Sequence, residues 1–411
     1  MKPWRIVSAG LLIAFTVGSL AHLGRAAGSP PTDPARDRAQ LRFLAGELAT
    51  GTAAGMQEYF PEGEFFSWVL TGLAAARLAE RGIEPDRNLR IVADAVAATG
   101  APTVADRFGS GHRGVPHGAF YHGWRLLLLT AQAGLTRQTD QLDAVAQQAG
   151  SLLAALDAPG QPPLTSYPGR VWPCDLVVAM AAVRQASRLI GLPGLDAATE
   201  RFVARLATWR DPATGLLGHT LGPDGDPSGA RGSSQAIVNT YLRDISPEAA
   251  DAEWHGFNQH FVVGTLGLVG VREYPVGQEG GGDVDSGPLI AGVSLSASAV
   301  ALGAARRNGD AELAIGLHRE AELLGLPLPW RGDGDGDGDG CGRAFLFGRL
   351  PIGDAFVVAA RTQPLAQPGA TAKPSHPGIW WPLWFALGSL PGLLGLLLLH
   401  SHRRDRPAGS R

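Results

Sequence analysis

The sequence predicts an all-α protein, an (α/α)6 toroid of helical hairpins with an N-terminal and a C-terminal transmembrane helix. Three observations predict this architecture. Apolar residues recur at helical spacing through eleven consecutive segments. The connections between those segments alternate short and long, the rhythm of paired helices closing into an inner and an outer ring. Each end of the chain is a long apolar run of the length a helix needs to cross a bilayer core.

The terminal runs set the topology. Residues 4–23 are almost unbroken apolar sequence with Lys2 and Arg5 at their start, and residues 379–399 carry no charge and are followed by His402, Arg403 and Arg404. Cationic flanks stay cytoplasmic, so both ends point inward and the middle lies outside, at a bacterial inner membrane. The expected organisation is a transmembrane anchor or uncleaved signal over 1–26, a linker over 27–37 and an extracytoplasmic toroid over 38–362. A Pro-rich linker over 363–378, a transmembrane helix over 379–400 and a basic cytoplasmic tail over 401–411 complete it. A cleaved signal peptide is the alternative for the first run, although residues 23–27 (LGRAA) make a poor cleavage site.

Helices are expected near 38–54, 66–82, 87–100, 119–135, 138–156, 173–191, 195–209, 233–244, 247–265, 289–308 and 310–325, separated by Pro and Gly punctuation. Ser246-Pro247-Glu248 reads as a cap residue before a proline at the first helical position. Past Leu326 the pattern changes. Residues 332–340 read GDGDGDGDG, a low-complexity insertion resembling the opening of a calcium loop without its closing carboxylate, since the twelfth position is Ala344. Residues 343–348 and 354–360 then read as a short β-hairpin.

Composition excludes some functions. Basic and acidic residues number 35 and 38, for a net charge of −3 with no basic stripe, so nucleic acid is not an expected partner. There is no dinucleotide fingerprint in a βαβ context, no phosphate-binding Walker loop and no Gly-x-Ser-x-Gly elbow, and nothing calls for a cofactor. The two cysteines, Cys174 and Cys341, can pair in an oxidising compartment only if the fold brings them together.

The residues able to do chemistry gather in the long connections, where a rigid scaffold usually presents function. Glu58, Tyr59, Glu62 and Glu64 form an acidic-aromatic stretch, either general acids or acids favouring the dipole of the following helix. His117, Tyr121 and His122 surround a helix start; the histidines are five apart, a poor metal pair, and His122 is a candidate proton shuttle or a buried cap. Tyr167, Trp172, Cys174 and Asp175 follow a Pro-Gly turn into another helix, whose N-terminus is expected to lower the thiol pKa and favour an ionised or capping Asp175. Glu279, Asp283 and Asp285 lie in a Gly-rich segment suited to close ligand approach or to a simple capped turn, and Arg231 adds a cation at a helix start.

The run Phe120-Tyr121-His122-Gly123-Trp124, with Tyr167-Pro168-Gly169 and Trp172-Pro173-Cys174-Asp175, resembles the bacterial linalool dehydratase/isomerase-type family. The resemblance implies an (α/α)6 barrel, an extracytoplasmic location and no cofactor. In that family a His at a helix start and two cysteines nine apart serve acid–base chemistry on an allylic alcohol. His122 would match that His and Cys174 the second cysteine, whereas the first has no counterpart, since position 165 is Thr165.

The expected function is cofactor-independent acid–base chemistry on a small hydroxylated substrate, of dehydratase/isomerase type. His122 and Cys174/Asp175 would work on opposite sides of the substrate oxygen, with Glu62, Asp283 and Asp285 positioning it. Tyr59, Glu64, His117, Tyr121, Tyr167, Trp172, Arg231 and Glu279 would contact the ligand. A glycan-acting hydrolase or lyase of the toroid type is the first alternative, and a non-catalytic membrane-tethered binding protein the second.

Overall fold

The computed structural model describes residues 3–110, 115–330, 342–366 and 380–404. Among these the helices are α1 (Pro3–Ala27), α2 (Pro34–Ala49), α3 (Thr52–Met56), α4 (Gly63–Glu80), α5 (Pro85–Gly100), α6 (Pro102–Ala105), α7 (Gly118–Thr136), α8 (Thr139–Leu156), α9 (Pro173–Ile190) and α10 (Leu195–Leu206). They continue with α11 (Gly232–Tyr241), α12 (Pro247–Phe261), α13 (Leu295–Arg307), α14 (Ala311–Leu324), α15 (Pro351–Thr362) and α16 (Trp381–Arg404).

Six of the described helices close a ring. α4 packs on α7, α7 on α9, α9 on α11, α11 on α13, α13 on α15, and α15 returns to α4. Apart from α13, these are the most buried helices: every residue of α9 from Pro173 to Val183 is buried, with no solvated stripe to read. The outer helices α2, α5, α8, α10, α12 and α14 alternate with them along the chain. α5 shows the expected amphipathic face, burying Ile91, Val92 and Ala95 while Asp94 stays in solvent. The fold is therefore the α/α toroid, and because one outer helix separates each inner helix from the next, all six inner helices start at the same end. Side chains of five inner helices, among them Leu73, Arg77, Trp124, Tyr241 and Phe356, line a cavity of about 30 Å³, room for about one water.

Three expectations need correction. Residues 354–360 are not a strand: Pro351–Thr362 is the sixth inner helix, started by a proline at its first position. The alternating apolar pattern there belongs to a helix buried on nearly all sides, which periodicity cannot separate from a buried strand. β6 (Gly342–Ala344) pairs instead with β5 (Leu328–Trp330), antiparallel, with Leu328 opposite Ala344. The helix expected over 247–265 stops at Phe261 and the one over 289–308 starts at Leu295. Between them lies a small sheet of β1 (Val262–Thr265), β2 (Leu268–Arg272), β3 (Leu289–Ile290) and β4 (Val293–Ser294), in the order β1-β2-β4-β3. The Gly-Asp tract and Cys341 lie outside the described residues; Cys174 is buried as a free thiol.

A buried ionic network closes the ring where its last helix meets its first. Arg361 of α15 reaches Asp37 of α2 (Nε to Oδ1, 3.0 Å) and Glu322 of α14 (Nη1 to Oε1, 3.0 Å), with all three side chains buried. Arg343 also pairs with Glu322, Gln40 donates to Asp354 at 2.5 Å, and Asp354 accepts from the Phe345 N–H at 3.1 Å.

Glu320 is buried under β2 and accepts from the Val269 N–H at 2.6 Å, and burial raises its pKa to about 8. A carboxyl raised in the folded state contributes stability that is present below its unfolded pKa and is lost as pH rises through the folded value. Glu320→Gln is therefore expected to flatten the fall in thermal stability between pH 5 and 8. At pH 8 it should stabilise the chain by a few kcal/mol at most, at about 1.4 kcal/mol per pKa unit. A variant whose melting curve keeps the wild-type pH slope would contradict this.

α1 and α16 are each long and apolar enough to cross a membrane. They pack antiparallel on each other through small residues: a Cβ on Gly392 would come 3.0 Å from Thr16, and one on Gly395 3.0 Å from the Ala9 carbonyl. Their outward faces are Phe15, Leu11, Leu390, Leu394 and Leu397, all exposed.

Candidate active site

The shared end of the inner helices carries the chemistry. Tyr167-Pro168-Gly169-Arg170 makes a tight turn in which the Arg170 N–H donates to the Tyr167 carbonyl at 3.0 Å and Gly169 takes φ +71°. Proline followed by a positive-φ glycine is the type II pattern. The turn sets Ser166 and Tyr167 at the start of α9. There the Trp172 N–H donates to Ser166 Oγ at 3.0 Å, and Pro173 leads Cys174 and Asp175 into the first helical turn.

Asp175 is buried, and its pKa is raised to about 8. Burial is the main cause; the charges of Glu62 and Asp285 add to it, and hydrogen bonds from Ser166 and Cys174 oppose it. The Cys174 thiol lies 3.9 Å from Asp175 Oδ1. It is pushed well above its ordinary value by burial and by the charges of Asp175 and Asp285, although Ser234 bonds to it. The helix N-terminus was expected to favour thiolate and carboxylate. Desolvation and like charge outweigh that dipole here, so both groups hold their protons.

Two further carboxyls face this pair. Glu62, just before α4, accepts from the Tyr167 hydroxyl at 2.7 Å and is raised by burial despite that bond. Asp285 keeps about half of its side chain in solvent (49%) at the mouth, yet burial of the remainder and the charges of Asp283 and Glu62 bring it to about 6. His219 sits beside it, Nε2 3.9 Å from Asp285 Oδ2 and Nδ1 2.6 Å from Ser234 Oγ. Burial and the Arg231 charge lower His219 to about 4, so the imidazole is neutral at pH 7. The walls are aromatic. Tyr167 stacks on Phe120 at 5.3 Å between centroids and meets the Trp172 edge at 5.2 Å, and Trp172 faces His219 at 6.5 Å.

A second layer holds the rim. Arg231 pairs with Asp283 and with Glu273 (Nε to Oε1, 3.3 Å), its guanidinium lying 4.9 Å over the Tyr274 ring. Burial pulls Asp283 upward, but the Ser286 N–H and Arg231 outweigh it and keep Asp283 below its ordinary value. Asp283 Oδ1 also accepts from the Asp285 N–H at 3.1 Å, a local turn that presents Asp285 to the cluster. Glu273 is buried and accepts from the Ser233 hydroxyl at 2.9 Å. Gly232 is required at the start of α11, because a Cβ there would come 1.9 Å from the Arg272 carbonyl oxygen. Gly232→Ala is expected to cost about 3 kcal/mol, measurable as a lowered melting temperature; an unchanged one would mean the sheet can yield at Arg272.

The structure thus brings together Glu62, Tyr167, Trp172, Cys174, Asp175, Asp283, Asp285 and Arg231. Other candidates go elsewhere. Glu64 pairs with Arg107 at 2.5 Å, and Glu279 pairs with Arg272 at 2.9 Å on the surface. His117 bonds through Nδ1 to the Gly109 carbonyl at 2.8 Å on a left-handed backbone (φ +67°), and Tyr121 donates to the Thr99 carbonyl at 2.9 Å. Tyr59 is exposed. His122 lies two residues past Phe120, roughly 200° around α7, on the side away from the axis, with its ring 5.1 Å from Tyr121 and 6.2 Å from His117. Sequence reasoning missed His219, since a lone His in a long loop carries no spacing signal; Ser166 and Ser234 stood out only as hydroxyls beside Tyr167 and Arg231 at helix starts.

Among the described residues no group of three or more His, Cys, Asp or Glu is arranged to hold a metal ion. No family model and no curated protein matches the chain. Solved structures do. A possible member of the GH105 family from Salmonella enterica serovar Paratyphi A overlays with a TM-score of 0.50 at 14% identity, covering 82% of this chain and 95% of that one. A glycoside hydrolase of family 105 from C. acetobutylicum gives 0.47 at 13% identity, covering 79% and 98%. Cellobiose 2-epimerase from Bacillus thermoamylovorans gives 0.45 at 10% identity, covering 72% and 87%. At these identities the likeness is one of fold, and this chain folds as an α/α toroid.

Proposed function

We propose that the chain is a membrane-anchored enzyme that acts on glycans by general acid–base chemistry, with its toroid outside a bacterial inner membrane. The observation that carries the reading is the set of three carboxyls, Glu62, Asp175 and Asp285, in one aromatic-walled mouth, each raised by burial, with the charges of neighbouring acids adding to the rise at Asp175 and Asp285. Environments that push neighbouring acids apart assign their roles. Asp175 keeps its proton at pH 7 and is the general acid. Asp285, near 6, is the base. In hydrolysis, Asp175 gives its proton to the leaving sugar oxygen as the C–O bond breaks, and Asp285 takes a proton from the attacking water. Trp172 and Tyr167 offer faces to a sugar ring. The overlay with a possible GH105 family member supports a fold suited to this work.

The test is turnover of an oligosaccharide and aryl-glycoside panel by the full chain in detergent. kcat/KM for a cleaved substrate should be bell-shaped, rising as Asp285 deprotonates near pH 6 and falling as Asp175 deprotonates near pH 8. Ser166→Ala removes a hydrogen bond that lowers the Asp175 pKa, so the alkaline limb should move to higher pH. An unmoved limb would remove Asp175 from that role.

One observation favours a second reading, elimination or isomerisation of an alcohol: the protonated Cys174 thiol beside Asp175. Cys174→Ala separates the two. Glycan hydrolysis should survive it within about tenfold, whereas chemistry routed through the thiol should be lost.

A further inference from the structure

We infer that the mouth end of the toroid rests on the lipid bilayer, so that the carboxyl cluster opens toward lipid headgroups; this rests on the reading of α1 and α16 as membrane-spanning. Three observations meet at that end.

The first is the distribution of exposed apolar side chains. In the described part of the toroid, the large ones lie in the connections that lead from an outer helix to an inner one, or at the helix ends beside them; Leu365 is the exception at the opposite end. Leu266 and Ile290 are each 63% exposed and Phe347 59%, with Leu326 and Leu346 also exposed. The connections at the other end carry no such residues within the described chain apart from Leu365.

The second is the backbone that presents them. Leu266, Leu326, Leu346 and Phe347 all take positive φ (+52°, +45°, +47° and +59°). Large side chains are uncommon in the left-handed region, where Gly or Asn would sit without strain. Turns built only to reverse the chain in water have no reason to place Leu and Phe there, pointing outward.

The third is the direction of the terminal helices. His22 of α1 bonds to the Leu323 carbonyl at 2.8 Å, in the last turn of α14, whereas Ser29, just past α1, bonds to His318, earlier on α14, at 2.8 Å. α1 therefore runs antiparallel to α14, and its far end projects beyond the α14 C-terminus. That terminus leads into an inner helix, so the pair of α1 and α16 leaves the toroid from the mouth end. Trp384 of α16 donates its indole N–H to the Leu266 carbonyl at 3.0 Å, joining the apolar pair directly to the apolar rim. Trp380, Trp381 and Trp384 stand at this junction, the level at which tryptophan concentrates in membrane proteins. A lipid surface is the one partner continuous with both features.

The experiment uses the full chain with Cys341→Ser, in vesicles of phosphatidylcholine and phosphatidylglycerol, with an environment-sensitive fluorophore on single cysteines. Buried Cys174 serves as the unlabelled background. L266C, L326C and F347C are read for quenching by brominated lipid. I290C, whose backbone is not left-handed, keeps the test open if a label on the strained turns disturbs folding. L394C reports the α16 outer face, and D196C reports the far end. The expected result is quenching at the rim positions and at L394C, with none at D196C. Quenching at L394C alone would overturn the inference and leave the anchors standing. Quenching at none of these positions would overturn the membrane reading itself. Rim labels shielded from iodide but untouched by brominated lipid, with shielding that grows with protein concentration, would assign the face to a second copy and overturn the bilayer.

Discussion

Asp175→Asn is expected to lose turnover by roughly 10³-fold while the fold is kept, the scale on which a general acid contributes. Asn has the shape of the protonated acid, which is the form burial already imposes on Asp175 at neutral pH. It can still accept from Ser166, but it has no proton to give. The same substitution should leave stability unchanged in acid and raise it in alkali. A carboxyl raised to about 8 contributes stability below its unfolded pKa and loses it as pH rises through the folded value, and Asn does not titrate. Thermal unfolding and turnover of one preparation, at pH 6 and pH 9, read both effects. Activity within tenfold of wild type would sink the assignment of Asp175. Lost activity with a collapsed melting transition would show a structural part instead.

Arg361→Met is expected to be the most destabilising of these substitutions, by about 3–5 kcal/mol, the scale for breaking a buried ion pair from one side. Arg361 lies between Asp37 and Glu322, all three below 5% exposed. Without it both carboxylates stay in the interior, Glu322 beside Arg343 and, at 3.9 Å, Arg36, and Asp37 near the charge of Arg306. The pair ties α15 to α2 and α14, the seam where the ring closes, so the loss should appear as cooperative opening of the whole toroid. Melting of the full chain in detergent gives the measurement, and a fall in transition temperature of only a degree or two would mean that the seam is held by packing of α15 on α4. Replacing Asp37 and Arg361 together by apolar residues should recover part of the loss, because a pair removed whole leaves no uncompensated charge.

Particular residues show how far the site could be read beforehand. Tyr167, Trp172 and Asp175 were legible because Pro168, Gly169 and Pro173 punctuate that stretch and force a rigid lead into α9. Asp283 and Asp285 were legible from their glycine-rich setting, but not their opposite fates: the Ser286 N–H and Arg231 keep Asp283 low against burial, while burial and the charges of Asp283 and Glu62 raise Asp285. His122 looked like a proton shuttle because it stands at a helix start. The rotation of α7 that puts Phe120 on Tyr167 turns His122 the other way. His219 gave no local signal, and its place depends on Ser234 in the first turn of α11 and on Asp285 from the connection between α12 and α13.

From the amino-acid sequence by itself come the helical class, the alternating rhythm of the connections, the two apolar ends and the gathering of chemistry in the long loops. These are local properties: periodicity, turn residues and run length act over a few residues. The tertiary structure alone decided that residues 351–362 are the sixth inner helix and that a small sheet lies between α12 and α13. It alone decided which acids meet, and that Cys174 and Asp175 keep their protons. A pKa answers to burial and to charges brought from distant positions, and on a helix wholly enclosed by neighbours no polar face remains to mark its period.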